Sequence, residues 1–251
     1  MPQFLVQAAD LRLDRAEALL RGDEAHHLVR VFRARAGDAV DLFDGEGRRW
    51  RAALEKVGTG EVLLTQLAPL PANEPRVEVC LLQGVLKGEK WAWVLSKGTE
   101  LGARRFVPVL AERSVSVVEG DRAAAKSDRW QGIATAAAKQ CERALVPRDD
   151  PPRPLAEVLE TLGAPAPGEE RLVFVERRTA AAPARRRAAE RFYLAVGPEG
   201  GWSESEKENL VRAGFEPASL GSRILRAETA ATAALALVLG AAGELGDLPG
   251  R

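Results

Sequence analysis

Two glycine-rich stretches near the carboxyl end hold the residues best suited to gripping a ligand. From Val196 through Gly197, Pro198, Glu199, Gly200, Gly201 and Trp202 to Ser203 and Glu206, an apolar run enters a glycine turn and then a helical pattern. Ser203 and Glu206 have capping-box spacing, so a helix starts there with its own free amides closed. The glycines just ahead of it allow close approach to the backbone, at the carboxyl end of a strand where open α/β sheets bind ligands. Within this stretch no Lys is followed by Ser or Thr and the spacing differs from G-x-G-x-x-G, so it is neither a phosphate loop nor a dinucleotide fingerprint. Glu199, Glu204 and Glu206 would repel a polyphosphate and suit a positive centre. By spacing alone, a tight structural turn fits equally. The second stretch runs from Leu220 and Gly221 through Arg223, Ile224, Leu225 and Arg226 to Glu228, placing a turn and two arginines before an alanine-rich helix. Glu228 suits the positive end of that helix, and the two arginines read equally as surface charges.

Further polar groups fall where strands and helices end. Lys87 to Gly102 is an amphipathic helical segment with Trp91, Val94, Leu95 and Leu101 on one face and Lys90 and Lys97 elsewhere. Ala111 to Val115, including Arg113, follows an apolar run, and Lys139 to Arg143 ends a long helical pattern; both suit a cleft or a solvated end. Near the amino end, His26, His27, Arg30, Arg33 and Arg35 form one basic cluster, and Arg48, Arg49, Trp50 and Arg51 another. Basic side chains around an aromatic suit RNA, and also a strand edge guarded by arginine.

The elements that must position these groups divide at Pro69 to Pro75, where three prolines stiffen the chain and remove ladder donors. Residues 1–70 are short apolar stretches broken by glycine and aspartate turns, with one helical segment at Glu24 to Val31, which predicts a small barrel or sandwich. Residues 71–251 alternate apolar runs with helical periodicity. Strands are expected at Val77 to Val85, Phe106 to Leu110, Leu172 to Val175, Phe192 to Val196 and Ala218 to Leu220. Helices are expected at Glu89 to Leu101, Asp121 to Ala144, Ser203 to Ala213 and Glu228 to Leu239. Such alternation predicts a parallel sheet with helices on both faces.

Composition narrows the class. Of 251 residues, 46% are hydrophobic and 29% charged, enough for a core and unlike a disordered chain. Thirty-six basic residues balance thirty-six acidic ones, so RNA would have to be met by a local basic surface. Two cysteines and two histidines argue against a disulfide framework and a structural metal. The absence of a long apolar run and of a leader-like start predicts a cytoplasmic protein with no membrane partner.

Five stretches in order resemble the RsmE-type methyltransferases: residues 26–38 with 42–47, 87–115, 139–147, 195–206 and 220–235. One departure is Trp202, where the family pattern suggests Phe. The resemblance implies an amino-terminal PUA-like β-barrel that binds RNA and a SPOUT-class domain with a deep trefoil knot, working as a homodimer. It implies S-adenosylmethionine as cofactor and N3 of a uridine in 16S ribosomal RNA, free or in the assembled small subunit, as target. By position, the donor would meet Val175, Glu176, Gly197, Pro198, Glu199, Gly200, Gly201, Leu220, Gly221, Ile224 and Leu225. Arg226 and Arg113 are then expected to stabilise a uracil anion, with Glu199 either a proton acceptor or an attractor of the sulfonium. His27, Arg30, Arg33 and Arg49 are expected to meet RNA. A non-catalytic RNA-binding factor and a ribose methyltransferase are the rival readings.

Overall fold

The computed structural model describes residues 3–114, 122–176 and 189–246. The expected helix start at Asp121, and Val115 of the 111–115 stretch, lie outside them. The chain forms two units, Met1–Glu74 with Thr135–Val146, and Pro75–Ala134 with Pro147–Arg251.

The first unit is built on a six-stranded sheet in the order β1 (Gln3–Leu5), β4 (Ala39–Phe43), β5 (Arg49–Val57), β6 (Glu61–Leu70), β3 (Glu17–Arg21) and β2 (Leu11–Arg12). The β1–β4 pair is parallel and the others antiparallel. The sheet curls over one apolar core that includes Phe4, Leu20, Leu42, Trp50, Leu54 and Leu64. Helix α1 (Gly22–His26) continues as a π-helical turn over His27–Val31, where the Phe32 amide reaches back to His27 O at 3.1 Å. The unit is completed by a distant segment: Gln3, buried at 2% exposure, donates from Nε2 to Ala138 O (3.0 Å) and Arg143 O (2.7 Å). Glu74 accepts from Arg143 and from the amides of Ala144 and Leu145.

The second unit is an all-parallel sheet in the order β10 (Arg153–Pro154), β8 (Arg105–Leu110), β7 (Glu78–Gly84), β12 (Arg191–Val196), β11 (Glu169–Phe174) and β13 (Glu216–Ala218), with β9 (Arg148–Asp149) also on β8. Successive side chains of a strand face opposite ways, so two cores form. Val79 and Leu81 join Phe192, Leu194 and Val196 on the face covered by α2 (Lys90–Leu101), α3 (Arg122–Gln140) and α6 (Ala227–Ala241). Cys80, Leu82 and Ala195 face α4 (Leu155–Leu162) and α5 (Glu204–Arg212). Burial on both faces explains the continuous apolar runs. Helix α2 lies tight on the sheet: a Cβ on Gly98 would come within 2.5 Å of the Phe106 ring. Asp149 is buried, and burial followed by the charge of Asp150 pushes its pKa up to about 8 against a smaller lowering by the Trp91 indole N–H.

The expected helix to Ala144 ends at Gln140, before Glu142 adopts a left-handed φ of 60°. The last short strand is Glu216–Ala218 rather than Ala218 to Leu220, and α4 carried no expectation. No helix among the described residues is long and apolar enough to cross a membrane.

Candidate active site

At the carboxyl ends of β11, β12 and β13, three loops enclose a cleft of ≈ 620 Å³. Val175 and Glu176 come from the first, Gly197, Pro198, Glu199, Gly200 and Gly201 from the second, and Leu220, Gly221, Ile224 and Leu225 from the third. Every residue expected to meet a donor therefore lines one cavity, together with Arg113, Arg226, Lys90, Lys207 and Phe174.

The second loop is held from several sides. Buried Gln83 donates to Gly197 O at 2.9 Å, and a Cβ on Gly84 would collide with Pro198 Cδ, so the end of β7 seats the loop. Arg113 donates from Nη1 to Gly200 O at 3.2 Å. Behind the loop the expected capping box is present, with the Glu206 amide donating to Ser203 Oγ (3.2 Å) and the Ser203 amide to Glu206 Oε2 (2.8 Å). The other Glu206 oxygen accepts from the Glu112 amide at 2.9 Å, fixing the loop after β8. Trp202 is buried beside Leu210 and Phe215, filling the core where a smaller Phe was expected.

Charge sorts the remaining roles. Glu199 Oε1 accepts from Lys90 Nζ at 2.8 Å and from the Lys87 amide at 3.3 Å. Burial pushes the Glu199 carboxyl up, yet the Lys90 hydrogen bond and those from the backbone outweigh it and hold the group below the ordinary carboxylate range. Such a carboxylate is a weak proton acceptor. Arg113 is committed to loop carbonyls, whereas Arg226 and Arg223 are exposed on the cleft wall and make no ion pair among the described residues. Lys90 escaped the sequence reading because its helix face was judged by the apolar residues alone. Gln83 and Glu206 Oε1 act across the fold and leave no local signal.

Gly201 (φ 67°) and Gly221 (φ 104°) line the cleft, and a methyl group added to either would have no protein atom within 4 Å, so backbone is offered there without side chains. Backbone amides and carbonyls, the apolar faces of Phe174, Val196 and Leu225, and the Glu199 anion form a donor set suited to a flat polar-edged ring joined to a positive centre.

In the first unit, Arg30, Arg33 and Arg35 are exposed, and none makes a side-chain ion pair among the described residues. Between them Val31 and Phe32 are 60% and 46% exposed. The Phe32 ring is braced edge-on by His27 (5.0 Å) and Phe4 (5.7 Å). Arg49 departs from the expectation of an exposed phosphate contact: it is buried at 8%, with Nη2 3.7 Å from Asp41 and 3.9 Å from Glu142. Its neighbours are also paired, Arg48 with Asp44 (2.6 Å) and Arg51 with Asp41 (2.9 and 3.1 Å).

A parallel SPOUT-type sheet with a glycine-walled cleft at its carboxyl edge, accompanied by a PUA-like unit, defines a class of RNA methyltransferases. The sequence pattern of the RNA methyltransferase domain family matches residues 73–239, and that of the RNA methyltransferase PUA domain residues 20–67. Ribosomal RNA small subunit methyltransferase E of Synechocystis sp. is 35% identical over 227 residues, 89% of this chain and 73% of that protein. The protein of the same name from Bacillus subtilis is 29% identical over 95% of this chain and 96% of its own length. The crystal structure of the Neisseria gonorrhoeae ribosomal RNA small subunit methyltransferase E bound to S-adenosyl methionine superposes with a TM-score of 0.84 at 30% identity, covering 96% of this chain and 97% of that one. The chain belongs to the ribosomal RNA small subunit methyltransferase E family.

Proposed function

We propose that this protein transfers the methyl group of S-adenosylmethionine to N3 of a uridine in 16S ribosomal RNA, free or within the small subunit, and works as a homodimer in the cytoplasm. The observation that carries the reading is the cleft itself, where loops after three neighbouring strands present backbone at Gly201 and Gly221 and an anion at Glu199. The donor-bound structure of the Neisseria relative supports the same cofactor here.

Bound S-adenosylmethionine supplies an already activated methyl group. The protein's work is placement, which can contribute several kcal/mol, and help for a nitrogen that must lose its proton. Arg226, exposed and without an ion pair among the described residues, stabilises the negative charge that grows on uracil as N3 is deprotonated, and the proton passes to water. Arg113 positions the Gly200 loop, and Glu199 contributes charge rather than proton transfer. The exposed arginines around Phe32 grip the RNA, so binding and chemistry fall to different units.

For the dimer, the supporting feature is the outer face of α6, where Thr229, Ala233, Leu237 and Gly240 recur at helical spacing and Leu237 is 45% exposed. The test of the activity is methylation of small-subunit RNA by the purified protein, with the modified atom mapped by mass spectrometry. N3-methyluridine is expected; a 2′-O-methyl product, or none, would reject the reading.

A further inference from the structure

Lys90 stands between two carboxylates of unequal standing. Its ammonium donates to Glu199 Oε1, on the cleft wall, at 2.8 Å. On its other side Glu228 Oε2 lies 4.0 Å away, buried and without a hydrogen-bond partner. A buried carboxylate oxygen left unsatisfied is costly, and Lys90 is within a short swing of satisfying it. The third charge near Lys90 is Arg226, which repels the ammonium. While Lys90 stays on Glu199, it cancels the anion that the cleft offers to a positive ligand. Once it moves to Glu228, Glu199 keeps its full charge.

We infer that Glu228, which does not itself line the cleft, is a positioning residue that draws Lys90 off Glu199 and so sets the preference of the site for a sulfonium donor over its neutral thioether product. The inference rests on the methyl-donor reading of the cleft and adds what that reading lacks, a way for the same pocket to hold the charged reactant and release the uncharged product.

The test is calorimetry with S-adenosylmethionine and S-adenosylhomocysteine, reading the ratio of the two dissociation constants. Glu228→Gln leaves Lys90 with one anchor and is expected to lower the preference for the sulfonium about five-fold, the lower end of ordinary coupling between sites. Lys90→Met is expected to raise it, and Lys90→Arg to keep it near wild type. The double variant Lys90→Met with Glu228→Gln decides the matter. If Glu228 acts through Lys90, its substitution has no further effect there. A Glu228→Gln loss that is the same with and without Lys90 would mean a direct field and overturn the inference, as would an unchanged ratio in the single variant. Failure of the wild-type protein to bind either ligand would instead reject the methyl-donor reading beneath it.

Discussion

Arg113 and Gly200 meet so closely that the guanidinium donates to Gly200 O at 3.2 Å while a Cβ on Gly200 would come within 2.8 Å of Arg113 Cβ. Real Cβ atoms do not approach that near, and the neighbour is the start of a side chain, which cannot swing clear. Gly200→Val should therefore push the loop off Arg113 and abolish donor binding while the unfolding midpoint changes little, since Gly200 is exposed and outside both cores. Calorimetry with wild-type affinity would remove the loop from the donor site.

The RNA grip should be separable from the chemistry. Replacing Arg30, Arg33 and Arg35 by Ala is expected to weaken RNA binding and to reduce its log-log salt slope by about 2, at about 0.7 per lost single-strand phosphate contact. Donor affinity should stay unchanged. Arg226→Ala should do the reverse, slowing methyl transfer at saturating RNA with a small loss of RNA affinity, because its charge matters as the uracil anion forms. Filter binding across a salt series, with single-turnover rates, tests both halves.

Glu206 is buried at 5% and satisfies backbone amides on two segments, Ser203 and Glu112. Glu206→Ala strands both donors and should cost about 2–6 kcal/mol, at about 1–3 kcal/mol for each group left unpaired. Urea unfolding measures it; a loss below half a kilocalorie would mean that water replaces the carboxylate.

Asp149 sets a pH dependence. An ordinary Asp carboxyl titrates near 3.8, whereas burial and the charge of Asp150 place this one at about 8. The folded protein thus holds a proton that the unfolded chain has released across that window, so this group's contribution to stability falls as pH rises from about 4 to about 8. Asp149→Asn should flatten the fall. Unfolding midpoints at pH 5 and pH 8.5 that drop as far in the variant as in the wild type would assign the dependence elsewhere.

Leu237→Glu places a charge on the outer face of α6 and should split the proposed dimer without disturbing the core beneath. Equilibrium sedimentation is expected to move from about twice 27.0 kDa to 27.0 kDa. A wild-type protein sedimenting as an active monomer would end the dimer proposal.

What could be read from the sequence follows from where the forces are local. Apolar runs buried on both faces announced β7, β8, β11 and β12, and Ser203 with Glu206 announced its helix start because a capping box is made within four residues. The glycines of the cleft loops were legible as turns, but not as a cavity, which needs the order of the strands. The burial of Arg49 was illegible because its partners lie outside the local pattern, Asp41 on the neighbouring strand and Glu142 almost a hundred residues away. Lys90 gave no signal since an amphipathic pattern tells which side is apolar, not what waits on the other.

The recruitment of Thr135–Val146 into the amino-terminal unit has a consequence for how the protein is made. Gln3 and Glu74 find their acceptors and donors on a segment synthesised much later. At a translation speed of about 5–20 residues per second, the ribosome needs roughly 4–14 s to pass from residue 74 to residue 146. Through that interval the nascent curled sheet waits with Gln3 and Glu74 unmatched, and the surface that the later segment will cover is open to any chaperone that binds it. A gene truncated at the boundary between the two sequence patterns would make that waiting permanent.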